Sequence, residues 1–235
     1  MNKELLIKNL DLLNIAITDE QILKLEKFEN LLIETNKQFN LTAITDSDSV
    51  AVKHFADSLA VLSAADFTAG KMVLDVGTGA GFPGIPIIIA RPQIKLTMLD
   101  STEKKLKFVS STVSALDLNA NVLHMRAEEA GQNSEYREKF DIVVSRAVAA
   151  LNVLSEYCLP FVKKGGVFIA MKGAKANEEI ENAKNAISIL GGEIVDIKSF
   201  YLSDEAQRNV IIIKKIKETG KNYPRVGAKI SKKPL

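Results

Sequence analysis

The sequence predicts an α/β fold: an open, doubly wound sheet of seven strands, the last one antiparallel, preceded by a helical cap. Three observations predict it. From residue 71 onward, short apolar runs alternate with segments of helical periodicity. A glycine-rich turn at 77–81 joins the first apolar run to a helix, the opening unit of a nucleotide-type binding fold. Between the last two apolar runs no helical segment intervenes, so that pair can only return by an antiparallel turn.

Length and composition set the frame. A chain of 235 residues is ample for one large domain and tight for two. We read a single domain, 1–235, with a helical cap at 1–70, a sheet core at 71–215 and a basic tail at 216–235. At 46% hydrophobic and 26% charged, it can bury a core and stay in water. One cysteine, Cys158, excludes an internal disulfide and a cysteine metal cluster. The two histidines, His54 and His124, lie far apart, so no metal site is expected. The first residues, MNKELLIKNLDLL, carry acids and no cleavage site, and the most apolar window, 85–90, is too short to span a bilayer. A cytoplasmic protein without membrane contact is expected. From Arg208 to Leu235 nine basic residues face one acid, a net of +8, which leaves −6 for the rest of a chain whose total is +2. Such an end is either a solvated tail or a contact for a polyanion.

The elements follow in order. Leu5, Leu6, Leu10 and Leu13 share one helical face. Thr18 and Gln21 have capping-box spacing, and Ile22, Leu25, Phe28, Leu32 and Phe39 then recur as a core-facing stripe. Ser47 is placed to cap a further helix carrying Val50, His54, Phe55, Leu59 and Leu62. Strands are expected at 71–76, 95–100, 121–125, 140–145, 167–171, 193–199 and 209–215. Helices are expected at 82–90, 102–116, 152–162 and 177–190, the last stopped by Gly191-Gly192.

In such a sheet the ligand binds at the carboxyl ends of the strands. The first strand ends at Asp75, followed by Gly77, Gly79 and Gly81, which let the backbone turn tightly and a ligand come close. An acid two residues before G-x-G-x-G is similar to the first motif of methyltransferases that use S-adenosylmethionine. Phe82 stands where a dinucleotide fingerprint wants a small residue, which argues against a nicotinamide enzyme. The second strand ends at Asp100, 19 residues beyond Gly81, where a carboxylate accepts from a ribose diol or merely caps the next helix. Ala127 leaves room for an adenine ring; Glu128 either accepts from its amine or belongs to an exposed acidic turn with Glu129. Arg146 ends the fourth strand. A charge there needs a partner: Asp75, Asp141, or a ligand in the pocket. Cys158 lies away from the strand ends, and no Asn-Pro-Pro-aromatic segment follows the fourth strand. Both absences argue against covalent-cysteine carbon methylation and exocyclic-amine methylation. An acceptor that is already nucleophilic, such as guanine N7, needs no base.

VLDVGTGAGFPGIPIII, LDSTEKKLKF, RAEE, FDIVVSRAVA, NLTAIT, KHFADSL and the terminal YPR and SKKPL segments stand in order along nearly the whole chain. Together they resemble the glucose-inhibited division protein B family, small-subunit (16S) ribosomal RNA guanine-N7 methyltransferases. The resemblance implies a Rossmann-like class I methyltransferase sheet and S-adenosylmethionine as cofactor. It implies that Gly77, Gly79, Phe82, Asp100, Ala127 and Glu128 line the cofactor pocket, a group to which we add Asp75, Gly81, Ser101 and Thr102. Arg146 would stand beside cofactor and substrate as the catalytic residue. Lys53, His54, Asp57 and Ser58 would border the substrate, and Lys172 and Arg225 would meet RNA. The implied partner is small-subunit ribosomal RNA, free or in the assembled 30S particle, and a monomer is expected. After YPR, Val226–Ile230 departs from the family's usual short turn. Two other readings fit the residues: a methyltransferase acting on a protein or small molecule, and a cofactor-binding assembly factor without turnover.

Overall fold

The apolar runs pair into one sheet, described over all residues, Met1–Leu235, in a computed structural model. Its strands are β1 (Met72–Val76), β2 (Lys95–Asp100), β3 (Ala120–His124), β4 (Phe140–Arg146), β5 (Val162–Lys172), β6 (Gly192–Tyr201) and β7 (Gln207–Lys215). The order is β3-β2-β1-β4-β5-β7-β6, with β1 to β5 parallel and β7 antiparallel to both of its neighbours. The direction of winding reverses between β1 and β4, so the crevice for a ligand opens at their carboxyl ends. The seven strands and the antiparallel end are as expected. β5 is longer than expected because it runs through Gly165-Gly166, with a register irregularity against β4.

Alternation along the strands divides the core in two. Val73, Met98, Ile142, Val144, Ile169 and Ile212 face one helical layer; Leu74, Val76, Leu99, Val143, Phe168 and Ile213 face the other. The first layer holds α1 (Lys3–Leu12), α2 (Asp19–Asn36), a helical run over 47–63, α5 (Gly84–Ala90) and α6 (Glu103–Ala115). That run consists of α3 (Ser47–Ser49), a π-helical stretch Val50–Ala56, α4 (Asp57–Leu59) and a 3-10 turn Ala60–Ser63. The second layer holds α7 (Ala127–Gln132), α8 (Leu151–Cys158) and α9 (Ala176–Ile189). No helix is long and apolar enough to cross a membrane.

Both halves of the capping box form at Thr18 and Gln21. Ile22, Leu25, Phe28 and Leu32 are buried. Phe39 is not: α2 stops at Asn36, whose side chain accepts from Leu41 and Thr42 and turns the chain outward. Phe39 is left exposed with the Lys104 ammonium 3.9 Å above its ring. The helix cap expected at Ser47 belongs to Asp46, whose carboxylate accepts from Ser49 N–H at 2.8 Å. Phe28 packs on Phe55, Phe82 and Phe108 at centroid distances of 5.8, 5.1 and 6.3 Å, so one aromatic cluster seats the cap on the glycine turn. Removing a ring of this kind costs about 3–5 kcal/mol.

The C-terminal segment folds back on the body and ends in α10 (Gly227–Lys232). Its root is Lys215, fully buried on β7, which donates to Leu159 O and Thr219 Oγ1, both at 2.6 Å, beside Glu138. Burial lowers its pKa to about 8.

Candidate active site

Two hollows open at the carboxyl ends of the strands, on either side of β4. The first, about 550 Å³, lies over β1, β2 and β3. Gly77, Gly79, Asp100, Ser101, Ala127 and Glu128 line it, six of the residues that the sequence assigns to a cofactor. Gly79 has φ +59°, and a Cβ there would project into open space, with no neighbouring atom closer than 4.0 Å. A side chain at that point would be strained and would also fill the hollow. Asp100 is held by backbone: Oδ2 accepts from Gly79 N–H at 2.9 Å and Oδ1 from Thr102 N–H at 2.8 Å. Each oxygen keeps a second lone pair. Asp100 therefore caps the following turn and faces the hollow at once; the two sequence readings are compatible.

The other four cofactor candidates, and Arg146, do not line this hollow. Asp75 is fully buried, and its Oδ2 accepts from Gly84 N–H at 2.8 Å, fixing the start of α5. Burial raises its carboxyl to about 7. A Cβ on Gly81 would overlap Ile85, so that glycine serves the packing of α5. Thr102 is the residue before α6 and contributes its N–H to Asp100. Phe82 is 6% exposed and stacks on His54 at 4.3 Å, beneath the loop.

Arg146 faces a second hollow, of about 770 Å³, together with Lys53, His54, Asp57 and Lys172. Its partner is neither Asp75 nor Asp141. Nη1 donates to Asp57 Oδ2 at 2.8 Å and to Lys53 O at 3.1 Å, and the guanidinium lies 5.2 Å from the Phe82 ring centre. Asp141 sits at the other end of β4, bound to Met72 N–H and two lysines. Asp57 also faces Arg208 Nε at 3.5 Å, and Arg208 pairs in turn with Asp204. Lys172 is tied down by Glu179 at 2.7 Å and by Ala149 O at 2.5 Å. His54 bonds Thr42 Oγ1 through Nε2 at 2.9 Å. Burial, aided by the charge of Arg146, lowers its pKa to about 4, so the ring is neutral at pH 7.

Ser58 and Arg225, expected on the substrate side, line neither hollow. Ser58 is fully buried, borders neither hollow, and its hydroxyl has no hydrogen-bond partner. Arg225 is turned inward onto the buried carboxylate of Glu156, with Nη2 at 2.6 Å, because that carboxylate has no other cation within reach. Arg146 and Lys172 are both ion-paired, Arg146 with Asp57 and Lys172 with Glu179.

Sequence reasoning missed Glu156, Tyr157, Glu179 and Arg208. Arg208 was visible only as one charge in a basic end; an arginine opening a buried strand carries the same signal that singled out Arg146. One wall is common to both hollows: Ala147 and Val148 line each. Ala147 has φ +55°, a strained value for a residue with a Cβ, at the point where the hollows meet.

Residues 21–211 match the family described as rRNA small subunit methyltransferase G. The chain belongs to this GidB family. A ribosomal RNA small subunit methyltransferase G of Acetivibrio thermocellus is 48% identical over 99% of this chain and 96% of its own length. One from Alkaliphilus oremlandii is 47% identical over 99% and 98%. Among solved structures, the [4+2]-cyclase SpnF aligns with TM-score 0.58 at 15% identity, over 88% of this chain and 98% of its own. M. jannaschii TYW2 in complex with AdoMet aligns with TM-score 0.51 at 16% identity, over 64% of this chain and 69% of its own. At these identities the structural likeness shows the fold, a class I methyltransferase sheet.

Proposed function

We propose that this GidB-family chain transfers the methyl group of S-adenosylmethionine to N7 of a guanine in small-subunit ribosomal RNA. The residues of the first hollow suit the cofactor. Gly79 leaves space, Asp100 offers two pre-oriented acceptors for a diol, Leu99 and Met125 supply apolar wall, and Ala127 is small. Gly77, Gly79, Asp100, Ser101, Ala127 and Glu128 would hold it. Its sulfonium supplies an activated methyl group for in-line displacement, a reaction governed by positioning.

One observation carries the choice of acceptor. The second hollow has no free base: Asp57 and Glu179 are ion-paired, and His54 is a weak base at about 4. Such a site suits an acceptor with a ready lone pair, as guanine N7 has, and not one that must first lose a proton. Arg146 and Lys172 orient acceptor oxygens, guanine O6 or phosphate. Exposed lysines of the C-terminal segment, Lys217, Lys221, Lys229, Lys232 and Lys233, add affinity that falls with salt.

The test is methyl transfer from labelled donor to assembled small subunits, free small-subunit RNA and protein fractions, followed by nucleoside mapping. Label in N7-methylguanine, greater on assembled subunits, is expected. Label in protein, or donor binding without product, would replace this reading by one of its two rivals.

A further inference from the structure

Glu156 on α8 is fully buried, and no other acid of the protein is so completely engaged by one arginine. Its carboxylate accepts from the backbone N–H of Arg225 at 2.8 Å, from Nε at 2.8 Å and from Nη2 at 2.6 Å. The remaining nitrogen, Nη1, donates to Lys233 O at 3.1 Å. Arg225 precedes α10 and Lys233 ends it. One side chain, held by one buried carboxylate, therefore fastens both ends of that helix.

This matters because α10 is a wall of the first hollow. Gly227, Ala228 and Ser231 line it together with Gly77 and Gly79 of the glycine turn. Gly227 lies so close to Glu128 that a Cβ would run into its carboxylate. A helix of six residues does not hold itself in water. Its only buried side chain is Ile230. The segment before it is secured independently: Arg137 donates to Thr219 O, Gly220 O and Tyr223 O, and Gln132 to Pro224 O. The independent anchors stop at Pro224, and the wall begins just beyond.

Resting on the cofactor reading of the first hollow, we infer that Glu156 is a positioning residue: through Arg225 it clamps α10 as the closing wall of the nucleoside site. It touches neither cofactor nor RNA. Its effect is on how tightly and how long the nucleoside is held.

The experiment measures adenosylhomocysteine binding and dissociation, with amide hydrogen exchange, on wild type, Glu156→Gln and Arg225→Lys. In both variants affinity is expected to fall about tenfold through faster dissociation, the size expected from losing one or two charge-assisted bonds. Amides of 226–232 should exchange faster while those of 219–224 stay protected. The KM for the methyl donor should rise with kcat changed less than about twofold, a split that loss of folding would not produce. Ile230→Ser loosens the same helix without unpairing a buried charge, and should reproduce the result should Glu156→Gln fail to fold. Unchanged affinity in a variant whose 226–232 amides are freed, or unchanged exchange there, overturns the clamp. Wild type that binds no adenosylhomocysteine overturns the cofactor reading itself, and the clamp with it.

Discussion

The two hollows share a wall but are built by different means. The first is made of backbone: left-handed glycines, a carboxylate aligned by two N–H groups, and small residues at strand ends. The second is made of paired charges, some brought from distant parts of the chain, Arg146 and Arg208 with Asp57, and some from near neighbours, Arg208 with Asp204 and Lys172 with Glu179. A backbone site has one shape and suits an invariant ligand. A site of ion pairs can exchange an internal partner for a phosphate or a base, and suits a substrate that must be admitted, turned and released. The lesson is a division of labour: rigidity on the nucleoside side, exchangeable charge on the acceptor side.

Substitutions on each side should separate binding from turnover. Arg146→Ala is expected to have the largest effect, a fall in single-turnover methylation of about 10³, the scale seen when one charge-stabilising group is removed. Adenosylhomocysteine affinity should stay within about threefold, because Arg146 is outside the first hollow. The fold should persist, since Asp57 retains Arg208. Asp100→Ala should act on the other side, weakening adenosylhomocysteine about 100-fold by removing both a ligand acceptor and the bond that fixes Gly79. Titration calorimetry reads both. Glu179→Gln keeps an acceptor for Leu151 N–H but takes the charge from Lys172. It should lower turnover about tenfold without changing cofactor affinity.

The smallest effect is on stability. Folded His54 titrates at about 4 against an ordinary 6.5, so on acidification the unfolded chain takes up the proton first. Its contribution is present above 6.5 and is lost as pH falls toward 4. Asp75, raised to about 7 from 3.8, has the opposite sign and destabilises as pH rises through that range. The two oppose each other between about 4 and 6.5, so wild type should show a shallow pH dependence. His54→Gln should uncover the Asp75 slope, shifting the difference from wild type by about 2 kcal/mol across the window in urea unfolding. A difference independent of pH would contradict the neutral, buried imidazole.

The contrast also explains what could be read in advance. The strands, their alternation, the antiparallel end and the Gly77–Asp100 half of the first hollow follow from local pattern: glycines, apolar period and an acid at a fixed spacing. Local pattern does not reveal which charges meet. Arg225 pairs with an acid 69 positions away, and Arg146 with one 89 away. Asp75 and Phe82 carry the right motif yet sit beneath the loop, one fixing α5 and the other the cap, because a ligand turn needs support as well as a surface. The helix expected to carry Val50, His54, Phe55 and Leu59 forms, but its π winding at Val50–Ala56 has no sequence signal, and α7 and α10 are too short to show a helical period.

A crystal structure with adenosylhomocysteine tests the central claim most directly. The account predicts the ligand in the hollow bounded by Gly79, Asp100 and Ala127, with α10 closed over it and Arg146 still paired with Asp57 across the Ala147–Val148 wall. Ligand lodged instead among Arg146, Asp57 and Lys172, with the first hollow taken up by the protein's own side chains, would contradict it.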